Sequence, residues 1–159
     1  MATNLHRVLL NCAWRTAAVV PTNTTSPLRF EEYDPIVVPD PPDTSGFTRK
    51  FYWQWISSDE DVETTDYTRR EAHHLLRLVV EYPLRYPWTA MQAMIVQDRH
   101  DLAKALRDQR NRLGYDDDHT TTDIGLYIRK RAGDKIDRND HPRFWHYVAD
   151  WRCKVREDE

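Results

Sequence analysis

The chain has 159 residues and a net charge of −3 at pH 7, with 23 Lys and Arg against 26 Asp and Glu. That length suits one domain, 1–159, with a modest core, and the near-balance of charge excludes the broad basic field of a nonspecific nucleic-acid binder. Four glycines against nine prolines argue against phosphate-cradling loops, while 31% charged residues and a mean hydropathy of −0.82 describe a heavily solvated surface.

The opening "MATNLHRVLLNCAWRT" lacks the long apolar centre of a signal peptide, and no run approaches the length of a membrane span, so a cytosolic site of synthesis is expected. Leu5, Val8, Leu9, Cys12 and Thr16 fall on one side of a helical wheel, with Asn4, Arg7, Asn11 and Arg15 on another, which predicts an amphipathic helix ending before Pro21. Leu10 and Trp14 lie on its flank, where they can meet a core edge or a neighbouring subunit. Cys12 and Cys153 stand near opposite ends of the chain and read as two buried reduced thiols, a bridge between them being the alternative. Residues 21–46 are a polar, Pro-rich connection in which "LRFEEYD" is a short strand; "DPIVVPDPPD" holds four of the nine prolines and cannot be a central strand.

In "FTRKFYWQWIS", Phe51, Trp53 and Trp55 alternate with Tyr52, Gln54 and Ile56, a β-favouring aromatic pattern. In "YTRREAHHLLRLVVEYP", Leu76, Leu78, Val80 and Tyr82 take one face and Leu75, Arg77, Val79 and Glu81 the other, until Pro83 stops the strand. Together they predict a large antiparallel hairpin whose acidic tip carries Asp59, Glu60, Asp61 and Glu63. A single helix over "WTAMQAMIVQDRHDLAKALRDQRNRLGY" would bury Asp98 within the stripe of Met91, Ile95, Leu102 and Leu106. The cost of a buried carboxylate favours a helix that starts at Asp98 as N-cap, with Asp101 in its first turn and Leu102, Ala105, Leu106 and Leu113 toward the core. Gly114 then lies past the last turn, and "AMQAMIVQ" stays open between strand and loop.

"DDDHTTTD" is a polar loop, "IGLYIRKRAG" a strand with Ile124, Leu126 and Ile128 on one face, and "GDKIDRNDHP" a polar turn region. The last strand is the clearest: Trp145, Tyr147, Ala149, Trp151, Cys153 and Val155 alternate with His146, Asp150, Arg152 and Lys154, before a solvated tail at 157–159. Helix, three strands, helix and two strands predict an α+β domain: a largely antiparallel sheet with a long β-hairpin, flanked by an N-terminal helix and one central helix.

No catalytic, cofactor-binding or metal-ligating set emerges from these residues. His73 and His74 are strand neighbours that point to opposite faces and so cannot share an ion. Asp116, Asp117, Asp118, His119 and Asp123 crowd together without the ligand order, turn glycine or closing glutamate of a calcium loop. Ser26, Ser45, Ser57 and Ser58 lack nucleophile-elbow glycines, and Cys153 falls on a buried aromatic face where thiols are inert. The basic clusters at 107–112 and 129–131 are interrupted by acids and read as solvated faces. Six tryptophans are a heavy load for this length, and two helices cannot cover two apolar sheet faces, so part of that surface is expected to meet another chain.

The opening "NLHRVLLNCAW", the paired "RKFYWQWIS" and "RREAHHLLRLVVEYPL", the helical "DRHDLAKALRD" and the closing "FWHYVADWRCKV" together resemble the tail terminator (tail completion) family of long-tailed bacteriophages in element order, length and pattern. The resemblance implies a structural virion protein without catalysis or cofactor, assembled in the host cytoplasm. Its copies would form a ring, typically a hexamer, on the head-proximal end of the tail tube. The implied partners are other copies of itself, the tail tube protein and a head-completion or neck protein, with DNA only as passing cargo and no membrane. Within that picture Leu10 and Trp14 are expected to pack on a neighbour, and the acidic tip to dock on a partner or line the lumen. The competing readings are another neck or head–tail connector protein, a metal-dependent hydrolase or nuclease built on 116–123 with His141 or His146, and a nucleic-acid-binding module.

Overall fold

In the computed structural model the described residues are 4–20, 30–34, 49–61, 69–83, 87–107, 113–115, 121–137 and 144–158. They form α1 (Asn4–Ala18), β1 (Phe30–Glu32), β2 (Arg49–Asp61), β3 (Arg69–Pro83), α2 (Trp88–Leu106), β4 (Leu113–Tyr115), β5 (Thr121–Asp137) and β6 (Phe144–Asp158). The strands make one six-stranded sheet in the order β1-β2-β3-β6-β5-β4. Among the described residues only β1 pairs in parallel and the other ladders are antiparallel, so the α+β class with a long β2–β3 hairpin holds.

β3 and β6 form the spine, paired without a break from Arg69↔Asp158 to Pro83↔Phe144. Fifteen residues at about 3.3 Å each give a spine roughly 50 Å long. Strict alternation puts Leu76, Leu78, Val80 and Tyr82 opposite Trp151, Ala149, Tyr147 and Trp145, and all but the half-buried Trp145 are closed to solvent. Both helices lie on this face. α2 sets Met91, Ile95 and Leu102 into the cluster of Phe51, Leu78, Val80 and Tyr147, and α1 sets Val8 and Cys12 over Leu76, Cys153 and Val155. Both thiols are buried, and they form no disulfide.

The central helix departs from the sequence expectation. It begins at Trp88, after Pro87, and Asp98 lies in its interior instead of capping it. The carboxylate that seemed too costly to bury is buried, because partners come from elsewhere in the chain. Arg49 Nε stands 2.5 Å and the Tyr82 hydroxyl 2.7 Å from Asp98 Oδ2. A charged hydrogen bond and a phenol offset much of the desolvation that counted against the long helix.

α1 also differs in its polar stripe, since Asn11 and Arg15 are buried. Arg15 Nε donates to Asn11 Oδ1 at 3.2 Å and Arg15 Nη1 to the Ala105 carbonyl at 3.3 Å. That carbonyl belongs to the last turn of α2, where the helix leaves acceptors unfilled and negative potential gathers. Arg15 therefore caps a neighbouring helix, and neither it nor Asn11 faces solvent.

The β5 expectations change too. Gly133–Asp137 continue the strand where a turn was expected, and Thr121–Asp123 join it from the loop side, while β4 is an added short strand containing Leu113 and Gly114. The ladder to β6 carries two register shifts, between Leu126 and Ile128 and between Arg131 and Gly133. Bulges of this kind break the period-two pattern from which strand ends are read.

Candidate assembly surface

Both sheet borders are sparsely covered among the described residues. β1 covers β2 only over Arg49–Phe51, leaving the outer edge at 52–61, and β4 covers β5 only near Thr121 and Gly125, leaving 126–137. Gln54, Trp55, Ser57 and Asp59 are exposed on the first edge; Lys130, Ala132, Gly133 and Lys135 on the second. Strand edges with free N–H and C=O groups invite pairing with another chain.

Trp55 shares the register of Phe51 and Trp53 yet is 50% exposed, unlike the buried Phe51. The ladder slips between Trp55 and Ser57, so Ser58 rather than Ser57 shares the Trp55 face. Trp55 Nε1 donates to Ser58 Oγ at 2.7 Å, and Ser58 Oγ lies 2.7 Å from His74 Nδ1. The chain of contacts fixes the indole at the border of the helix-covered face. His74 is buried here while His73 is exposed, so the two rings diverge as strand neighbours must.

The helices present a second set of exposed apolar groups. Trp88 is 42% exposed and stacks on Trp145 with ring centroids 4.3 Å apart; Val96 is 57% and Trp14 39% exposed. Between α2 and the β5 border runs a groove of about 320 Å³ lined by Ile95, Val96, Arg99, Asp134, Ile136 and Tyr147, with Lys135 at its rim. Asp134 organises it, accepting from Arg99 and from the Tyr147 hydroxyl at 2.9 Å, with Arg131 Nη1 at 3.7 Å. Burial works against ionisation of Asp134, but these donors outweigh it and hold its pKa below the ordinary aspartate value.

On the sheet face away from the helices, Arg77 forms a two-pronged pair with Asp150 at 2.8 and 3.3 Å. Farther along, Glu81 Oε1 accepts from the Tyr33 hydroxyl and lies 3.2 Å from His146 Nε2. Burial, the hydrogen bond to Glu81 and its charge push the Tyr33 phenol well above its ordinary pKa. These contacts tie the end of β1 to β3 and β6.

The residues singled out from the sequence do not gather in one place. Leu10 is half-buried and Trp14 exposed on α1, whereas Asp59 is exposed far along β2. Glu60 and Asp61 are placed by their backbone as the last residues of β2, and Glu63 lies outside the described residues, as do 116–120 and His141. Among the described residues no three His, Cys, Asp or Glu side chains converge as metal ligands. No described helix is long and apolar enough to cross a membrane. Sequence reasoning missed Trp55 and Trp88 as exposed anchors. The Ser57–Ser58 doublet closing an aromatic run was the available sign of a bulge, and Trp88 directly after Pro87 was the sign of an uncovered first turn.

No family model matches the chain, and no curated protein matches it in sequence. Among solved structures it is similar to a chain of the virion of a native gene transfer agent (GTA) particle, with a TM-score of 0.53 and 13% identity over 94% of this chain and 93% of that one. At that identity the likeness is one of fold, and it spans nearly the whole of both chains.

Proposed function

We propose that this chain is a structural subunit of a phage-like virion, acting by assembly and not by catalysis. The observation that carries the proposal is the end-to-end likeness of fold to a chain of a gene transfer agent virion. The exposed tryptophans and open sheet borders support it, since they are surface that a lone copy leaves uncovered. Within the particle the reading is a tail terminator. Copies close into a ring, six in the family the sequence resembles, on the head-proximal end of the tail tube. The ring stops tube growth, meets the neck or head-completion protein on its other face, and leaves a lumen for DNA. Leu10 and Trp14 are proposed to pack on a neighbouring copy, and the acidic run Asp59, Glu60, Asp61 and Glu63 to contact a partner or face the passing DNA.

A second reading is another neck or head–tail connector position. It draws on the same likeness, because the similar chain is described only by its particle and not by its place in it. Mass measurement and negative-stain microscopy of the purified protein, alone and with tail tube protein, test the assembly role. Rings that cap tubes are expected for a terminator, and rings that bind neck proteins but ignore tubes favour the connector. A monomer under every condition sinks both.

A further inference from the structure

The two borders left open among the described residues carry opposite charge. Along the β2 edge, residues 52–61 hold Asp59, Glu60 and Asp61 and no cation; along the β5 edge, residues 126–137 hold Arg129, Lys130, Arg131 and Lys135 against Asp134 and Asp137. Charge on an edge is a common guard against unwanted pairing. Here each edge repels its own kind and attracts the other, which blocks β2–β2 and β5–β5 contacts while leaving β2–β5 open.

Strand direction agrees. The four long strands run in the order β2-β3-β6-β5, each antiparallel to the next. With an even number of alternating strands, β5 of one copy meets β2 of a copy in the same orientation as an antiparallel pair. The contact joins unlike surfaces, and contacts of that type close into rings when the rotation allows.

Register sharpens the fit. Followed across the sheet, Asp59 lies level with His73, Lys154 and Ile128, and Trp55 with Leu76, Trp151 and Arg131. Sliding the neighbouring β2 by about two residues, a stagger of the sort that closing a sheet demands, sets Asp59 beside Lys130. Asp59, level with His73, and Lys130, paired with Arg152, both lie on the sheet face away from the helices, so the slide brings the two charges side by side. One displacement thus joins opposite charges on the same face of the extended sheet.

We propose that copies of this chain join by β-augmentation, the acidic β2 edge of one pairing antiparallel with the basic β5 edge of the next, so that the sheets run continuously around the assembly. The proposal rests on the self-assembly reading above and names its interface.

Hydrogen exchange on the wild-type protein, compared between dilute subunit and assembly, tests it together with Asp59→Lys, Lys130→Glu and the double reversal. Both positions are exposed, so folding is not at issue. Slowed exchange is expected at 52–61 and 126–137 on assembly. Each single reversal should weaken the interface about fivefold to tenfold, as turning a cross-strand attraction into repulsion implies, and the double should recover most of that loss. If the wild type assembles while both edges exchange as fast as in the free subunit, edge pairing is wrong and self-assembly stands. If the wild type never assembles, both fail.

Discussion

The same three side-chain types meet twice in this fold, once in the core and once at the rim. In the core, Asp98 takes Arg49 and Tyr82 on one oxygen, and its buried Oδ1 has no hydrogen-bond partner among the described residues. At the rim, Asp134 takes Arg99 across both oxygens and Tyr147 on Oδ2. Burial raises the Asp98 pKa, and Arg49 and Tyr82 only partly oppose it; at Asp134 the donors win. The parts are alike and the net electrostatics are opposite, so what differs is the water each site has lost. The core triad pegs α2 to β2 and β3. The rim triad clamps α2 to β5, the strand whose outer edge is proposed to meet a neighbour.

The largest effect should come from breaking the core triad on one side. Arg49→Met leaves a buried carboxylate with one phenol for company and is expected to lower stability by about 3–5 kcal/mol. Adding Asp98→Leu should return most of that, because an apolar pair of fitting volume tolerates the site better than half an ion pair. Urea denaturation of both variants checks this. A single variant that loses less than the double would mean that α2 is not held by this charge pair.

Removing the phenols sharpens the contrast at smaller scale. Tyr82→Phe should cost about 1–3 kcal/mol, since Asp98 is fully buried and Tyr82 is its one neutral donor among the described residues. Tyr147→Phe should cost less, about 0.5–1.5 kcal/mol, because Asp134 keeps Arg99 and Arg131 close by. Equal losses in thermal melts of the two variants would remove the distinction drawn between core and rim.

Asp98 also marks where the sequence stopped being readable. The helix over "WTAMQAMIVQDRHDLAKAL" had the right stripe in Met91, Ile95, Leu102 and Leu106. A one-dimensional pattern counts the carboxylate against such a helix, because it cannot see Arg49, 49 positions upstream. Arg15 failed in the same manner, its partner being the Ala105 carbonyl 90 positions away. The β2–β3 hairpin and the β6 face were legible because alternation is a local property, carried intact through Leu76, Leu78, Val80 and Tyr82 and through Tyr147, Ala149 and Trp151. β5 was half-legible, since its two register shifts scramble the alternation and its charged residues resemble a loop. The assembly surface left the faintest trace. An exposed tryptophan and a buried one read alike until the elements around them are placed, and Trp55 differs from Phe51 only by what fails to cover it.

The gentlest perturbation separates the two carboxylates by the sign of their pH response. The Asp134 pKa is lowered by folding, so its contribution is present above the unfolded value of about 3.9 and disappears as pH falls through the folded value. Asp134→Asn should therefore cost at most about 1 kcal/mol at pH 7, a figure already reduced for the partly exposed Arg99, and the gap to wild type should narrow in the acid range and with added salt. Asp98 is raised by folding, so its contribution is full below about 3.9 and fades as pH rises through the folded value. The gap between wild type and Asp98→Asn should accordingly narrow with rising pH, opposite in direction to the rim variant. Denaturant midpoints of both variants across the acid range measure the two slopes. Slopes of the same sign would mean that lost hydration does not divide the core triad from the rim, and that β5 is held at its edge by the same balance that holds α2 in the core.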